Sequence, residues 1–131
     1  MDPRAESPVE VLVVDDQERW RELLRDIVGA TPGLTVVGEA PSGEASLESA
    51  ARLAPRLVVM DVRMPGMGGV EATRRLKASH PDVVVVLVSV DGKDADGLGS
   101  CGAAAFLRKQ QLSPRTLRAA WEQHGAGAQA E

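Results

Sequence analysis

Val9-Glu10-Val11-Leu12-Val13-Val14 runs straight into Asp15-Asp16, and the rest of the chain can be read outward from that junction. A continuous apolar run, rather than an alternating one, suits a strand covered on both faces. Two carboxylates at its end are costly to place together: a pair about 4 Å apart repels by on the order of 4 kcal/mol at an effective dielectric of about 20. While this junction stands alone, Asp15 or Asp16 serving simply as a cap for a helix starting near Gln17 explains it as well as a functional role does.

The junction does not stand alone. Leu57-Val58-Val59-Met60 ends in Asp61, and Ala104-Ala105-Phe106-Leu107-Arg108 ends in Lys109. Further apolar runs occupy Leu34–Val37 and Val83–Val88, the latter followed by Ser89. Between the runs lie helical patterns. Trp20, Leu23, Leu24, Ile27 and Val28 follow Gln17 and stop at Pro32-Gly33; Ser42-Gly43-Glu44 opens a second helix to about Leu53. Val70, Thr73 and Leu76 mark a third that ends before Pro81, and Ser113-Pro114 caps and starts a last one containing Leu117, Ala120 and Trp121. The stretch 91–102 (DGKDADGLGSCG) holds four glycines, each costing about 1 kcal/mol of helix propensity, so a fourth helix there is expected to be weak or irregular. Strand and helix alternating in this way give an α/β domain with a parallel sheet and right-handed crossovers.

Composition bounds the rest. The 131 residues suit one domain, expected over 9–124, with a disordered tail over 1–8 and a flexible one over 125–131. Hydrophobic residues make up 44%, but Trp20, Trp121 and Phe106 are the only aromatics, so valine, leucine and alanine must build the core. A net charge of −4 gives no basic footprint for direct nucleic-acid binding. The lone Cys101 excludes an internal disulfide and a cysteine-based zinc site, and is read as a small core or loop residue. No apolar run reaches spanning length, so a cytoplasmic protein without membrane contact is expected. His80 and His124 read as helix-end residues with no shared site, and Trp20 and Trp121 as core.

In an open parallel sheet ligands bind at the carboxyl ends of the strands. That edge would gather Asp15, Asp16 and Asp61, a hard oxygen set suited to Mg²⁺, with Ser89 and Lys109 able to hold phosphoryl oxygens. Asp61 is the candidate nucleophile, since a carboxylate beside a cation can form an aspartyl phosphate. The following Val62-Arg63-Met64-Pro65-Gly66-Met67-Gly68-Gly69 turns sharply but lacks the lysine of a nucleotide-binding phosphate loop.

Together, VLVVDD at 11–16, VVMDVRMPGMGG at 58–69, VLVSV at 86–90 and AAFLRK at 104–109 resemble the receiver domain of two-component response regulators over roughly Val9 to His124. The resemblance implies a flavodoxin-like doubly wound five-stranded sheet in the order 2-1-3-4-5. It makes Asp61 the phosphoacceptor, Asp15 and Asp16 the Mg²⁺ ligands together with Asp61 and the backbone carbonyl of Arg63, Lys109 the phosphate-binding lysine, Ser89 the switch hydroxyl and Phe106 the switch aromatic. It implies a histidine kinase or phosphotransfer protein as donor, a downstream protein target, and a monomer or weak dimer that catalyses only its own phosphorylation and dephosphorylation. Two departures stand out. Gln110 follows Lys109 where the family often has proline, so that bond is expected to be trans. Ser89 and Lys109 are separated by a stretch about two residues shorter than the family's, within the glycine-rich segment of the surface that usually reports phosphorylation.

Other functions fare less well. A phosphatase of the haloacid-dehalogenase type needs a second acid two residues after its aspartate nucleophile, where this chain has Arg63. An unphosphorylated docking module could dispense with the five pocket residues. The receiver half of a DNA-binding regulator remains an alternative, with any helix-turn-helix outside this chain. The glycine-rich stretch suggests two further expectations: phosphorylation orders residues 91–102, and Arg63 pairs with Asp91 over the site.

Overall fold

The computed structural model describes residues 7–91 and 101–130. Its elements in chain order are β1 (Val9–Val14), α1 (Glu18–Gly29), β2 (Leu34–Ala40), α2 (Gly43–Leu53), β3 (Leu57–Asp61), α3 (Gly68–Ser79), β4 (Val84–Ser89), β5 (Ala105–Arg108), a 3₁₀ turn (Lys109–Gln111) and α4 (Pro114–Ala130). The five strands form one parallel sheet in the order β2-β1-β3-β4-β5. This is the parallel α/β sheet expected from the alternation, in the flavodoxin-like order that the resemblance implied. The weak helix expected over 91–102, and with it the proposed ordering on phosphorylation, falls mostly on residues outside those described.

Strand pleating divides the core in two. Leu12, Val14, Val58, Met60, Val85 and Leu87 point to one face and pack with Ala50 of α2, Ala72 and Leu76 of α3, and Cys101. Val11, Val13, Val59, Val86 and Val88 point to the other and pack with Leu24 and Val28 of α1 and Leu117 and Ala120 of α4. Apolar runs without alternation arise because successive side chains on each strand enter different cores. Leu23 is the exception in α1: it shares the apolar spacing but is 42% exposed.

Local chemistry sets the helix ends. The Ala45 N–H donates to Ser42 Oγ at 3.0 Å, capping α2, and the Thr116 N–H donates to Ser113 Oγ at 3.1 Å at the start of α4. Helix α4 continues through Ala130, across the stretch that composition marked as a tail. Alanine is the best helix former, and Gly125 lies under Trp121, whose ring atoms would stand 2.5 Å from any added Cβ. No cis peptide occurs among the described residues, so Lys109–Gln110 is trans as expected. No described helix is long and apolar enough to cross a membrane.

Candidate functional site

Parallel register carries the charged residues to one edge. Val14 pairs with Met60, so the residues that follow them, Asp15 and Asp61, come level at the carboxyl ends of β1 and β3. Asp61 pairs with Val88 and Ser89 with Arg108, which brings Ser89 and the next residue after Arg108, Lys109, to the same edge. Asp15, Asp61, Ser89 and Lys109 are all buried.

Asp15 is held from several sides. Its Oδ1 accepts from the Gln17 N–H at 3.0 Å and its Oδ2 from Lys109 Nζ at 3.0 Å, while its backbone oxygen accepts from Arg21 Nη1 at 2.8 Å. The simple cap reading is therefore partly right: Asp15 does order the approach to α1, but the same carboxylate also binds the lysine. Arg21 is steadied in turn by Glu39 on β2, 3.1 Å from its Nε.

Carboxylate oxygens of Asp15, Asp16 and Asp61 lie within 4.8 Å of one another. Asp16 Oδ1 is buried and has no hydrogen-bond partner among the described residues. A buried orphan acceptor is costly unless something else satisfies it. An orphan oxygen within an all-carboxylate cluster fits a hard divalent cation such as Mg²⁺.

Asp61 carries a shifted acidity. Burial first, and the charge of Asp15 next, raise its pKa to about 6; Lys109 and a hydrogen bond from the Arg63 backbone pull the other way. Lys109 Nζ stands 3.6 Å from Asp61 Oδ1. Behind Asp61, α3 begins with unusual closeness to the strand. Gly68 has φ +76°, and a Cβ at Gly69 would collide with the Asp61 carbonyl oxygen and come within 2.9 Å of Val62 Cα. Gly68 thus serves the left-handed backbone of the turn and Gly69 the close packing behind the carboxylate, with the Gly69 N–H donating to the Val62 oxygen at 2.9 Å.

Ser89 Oγ accepts from the Asp91 N–H at 3.2 Å, and Arg63 Nη2 lies 4.0 Å from Asp91 Oδ2 at the exposed rim. Those side chains thus meet at the outer limit of an ion pair. Phe106 is half-buried beside Leu87 and packs on the α2–α3 core.

Two residues of the site escaped the sequence reading. Trp20, assigned to the core, is only partly buried, and its ring centroid lies 4.2 Å from Lys109 Nζ. Trp121 likewise faces a cation, Arg56, at 5.4 Å. Arg21 is the second. Both Trp20 and Arg21 belong to the first turn of the helix that leaves the acidic junction, and that position was the available signal.

A family model for the response regulator receiver domain matches residues 11–122. The chain belongs to that family. As a receiver it is a module of phosphorylation-dependent signalling. It is 48% identical over 103 residues to the response regulator GacA of Pseudomonas viridiflava, covering 77% of this chain and 48% of that protein. It is also 47% identical over 106 residues to protein-glutamate methylesterase/protein-glutamine glutaminase 4 of Myxococcus xanthus, a likeness that covers 79% of this chain and 30% of the enzyme. The receiver thus spans about half the length, or less, of these curated relatives. Among solved structures it resembles a LuxR-family two-component response regulator from Aurantimonas sp. SI85-9A1, with a TM-score of 0.83, 29% identity, and coverage of 92% of this chain and 87% of that one.

Proposed function

We propose that Asp61 accepts a phosphoryl group from the phosphohistidine of a histidine kinase or phosphotransfer protein, with Lys109 and Ser89 taking hold of the phosphoryl oxygens. The observation that carries this reading is the placing of Asp61: one carboxylate at the sheet edge touches both the acidic cluster and a buried ammonium.

An Asp61 carboxylate oxygen attacks the phosphorus, the new O–P bond forms, and the donor's P–N bond breaks with its electron pair returning to the imidazole. Asp15, Asp16, Asp61 and the Arg63 carbonyl would hold Mg²⁺, which when bound neutralises charge on the phosphoryl oxygens. Asp15 keeps the Lys109 ammonium extended into the site, so it need only pivot toward oxygens arriving on Asp61. The phosphorylated carboxylate carries about two negative charges and three acceptor oxygens, which draw Lys109 and the Ser89 hydroxyl inward. Movement of Ser89 acts on the end of β4, and Phe106 on the neighbouring strand responds, altering the surface beside β5.

The likeness to GacA and to a LuxR-family two-component response regulator supports an output delivered through a protein partner or a linked domain, since a net charge of −4 gives no basic footprint for direct nucleic-acid binding. Incubation with a small acyl phosphate and Mg²⁺, followed by intact-mass measurement, tests the reading. One phosphate should add to the wild type and none to Asp61→Asn; equal labelling of the two would refute it.

A further inference from the structure

Lys109 is confined on three sides. Its Nζ donates to Asp15 Oδ2 at 3.0 Å, stands 3.6 Å from Asp61 Oδ1 and lies 4.2 Å from the centroid of the Trp20 ring. With its side chain only 5% exposed, the ammonium has given up most of its water. Two of the three walls are carboxylates that compensate this directly. The third is an indole face, whose negative quadrupole attracts a cation where an aliphatic wall would only desolvate it.

The two kinds of wall behave differently when the ammonium has to move. A carboxylate holds it through a directed hydrogen bond, so a pivot from Asp15 toward oxygens on Asp61 must exchange one such bond for another. A ring face has no single acceptor direction, so the cation can slide across it without losing the attraction. Trp20 also comes from the first turn of α1, whereas Lys109 comes from the far side of the sheet, beyond β5. Their contact therefore joins the start of α1 to the segment that follows β5.

We propose that Trp20 is a positioning residue for phosphoryl transfer, its indole face keeping the Lys109 ammonium between Asp15 and Asp61 while that ammonium changes partners. The proposal rests on Asp61 as phosphoacceptor and on Lys109 as the group that meets the phosphoryl oxygens. No bond is made or broken at Trp20; its effect passes entirely through the lysine.

Trp20→Met fills much of the same space with a flexible apolar chain, and Trp20→Phe keeps a π face. With a small acyl phosphate and Mg²⁺, Trp20→Met should lower the maximal phosphorylation rate by about 3- to 10-fold, the span of a cation–π contact, with little change in the donor concentration giving half that rate. Trp20→Phe should recover at least half of the loss. The ε-methylene protons of Lys109 should show a ring-current shift in the wild type, a smaller one in Trp20→Phe and none in Trp20→Met. A wild-type rate in Trp20→Met, equal losses in the Met and Phe variants, or unshifted Lys109 protons in the wild type would each overturn the proposal. Failure of the site reading would look different: Asp61→Asn would take up phosphate, while the ring-current shift persisted.

Discussion

The ammonium of Lys109 is bonded to Asp15 at 3.0 Å, inside the sheet edge, and so offsets part of the repulsion between Asp15 and Asp61. Removing one partner of a buried pair strands the other, which typically costs about 3–5 kcal/mol. Lys109→Met should therefore destabilise the fold by about 3 kcal/mol at pH 7.5 in urea denaturation. The loss should shrink at pH 5, where Asp61 holds a proton and the stranded charge is smaller. A pH-independent loss would mean that the methylene stem, not the charge, matters at this position.

Asp61 itself makes stability depend on pH. Its carboxyl titrates near 6 in the folded chain against an ordinary value of 3.8, raised by burial and then by Asp15. The folded state thus binds the proton more tightly than the unfolded state does. Stability from the neutral acid is fully present below pH 3.8 and is lost as pH rises through about 6. Asp61→Asn should remove that decline and be the more stable protein above pH 6, by on the order of 1 kcal/mol once solvent screening at the open edge is allowed for. Denaturation of both proteins from pH 4 to 8 checks the slope.

Mg²⁺ should stabilise the wild type through the same cluster. A ligand at about 100 times its dissociation constant adds about 2.7 kcal/mol. Asp16→Asn should blunt that gain and raise the stability of the metal-free protein by removing one of three crowded charges. The gain should also fade below pH 6, where the proton on Asp61 competes with the ion. Thermal melts with and without Mg²⁺ read all three effects, and equal shifts in mutant and wild type would remove Asp16 from the site.

Gly69→Ala should be poorly tolerated although it adds a single methyl group. That carbon meets the Asp61 carbonyl and lies 2.9 Å from Val62 Cα, both backbone, so α3 or the end of β3 must shift. Overpacking of this kind costs about 1–3 kcal/mol, and here the shift falls on the residue that bears the reacting carboxylate. Both the midpoint of unfolding and the phosphorylation rate should fall.

The parts of this protein that could be read from its residues are those written locally. β1 has the bounds that its apolar run suggested, α2 opens at Ser42 and α4 is capped by Ser113 as their residues implied, and the order of strands is the one the family resemblance implied. Asp15, Asp61, Ser89 and Lys109 reach one edge because each stands at a strand end, a property visible without coordinates. What could not be read depends on distant partners. Trp20 and Trp121 match an apolar helical stripe as well as any leucine would, and only packing between helix and strand shows that each faces a cation. Leu23 fits the same stripe yet lies outside the core, because the buried arc of α1 is narrower than the periodicity of its apolar residues. The close approach at Gly69 was equally hidden, since a glycine-rich turn looks the same whether its glycines serve bending or contact.

The central claim is that Asp61, and neither of the acids beside it, carries the phosphoryl group. Borohydride reduces an aspartyl phosphate to homoserine, so reduction after treatment with acyl phosphate and Mg²⁺, followed by peptide mass mapping, locates the modified residue directly. The predicted result is homoserine at position 61 alone, absent when Mg²⁺ is chelated. Homoserine at Asp15 or Asp16, with residue 61 recovered as aspartate, would contradict the account.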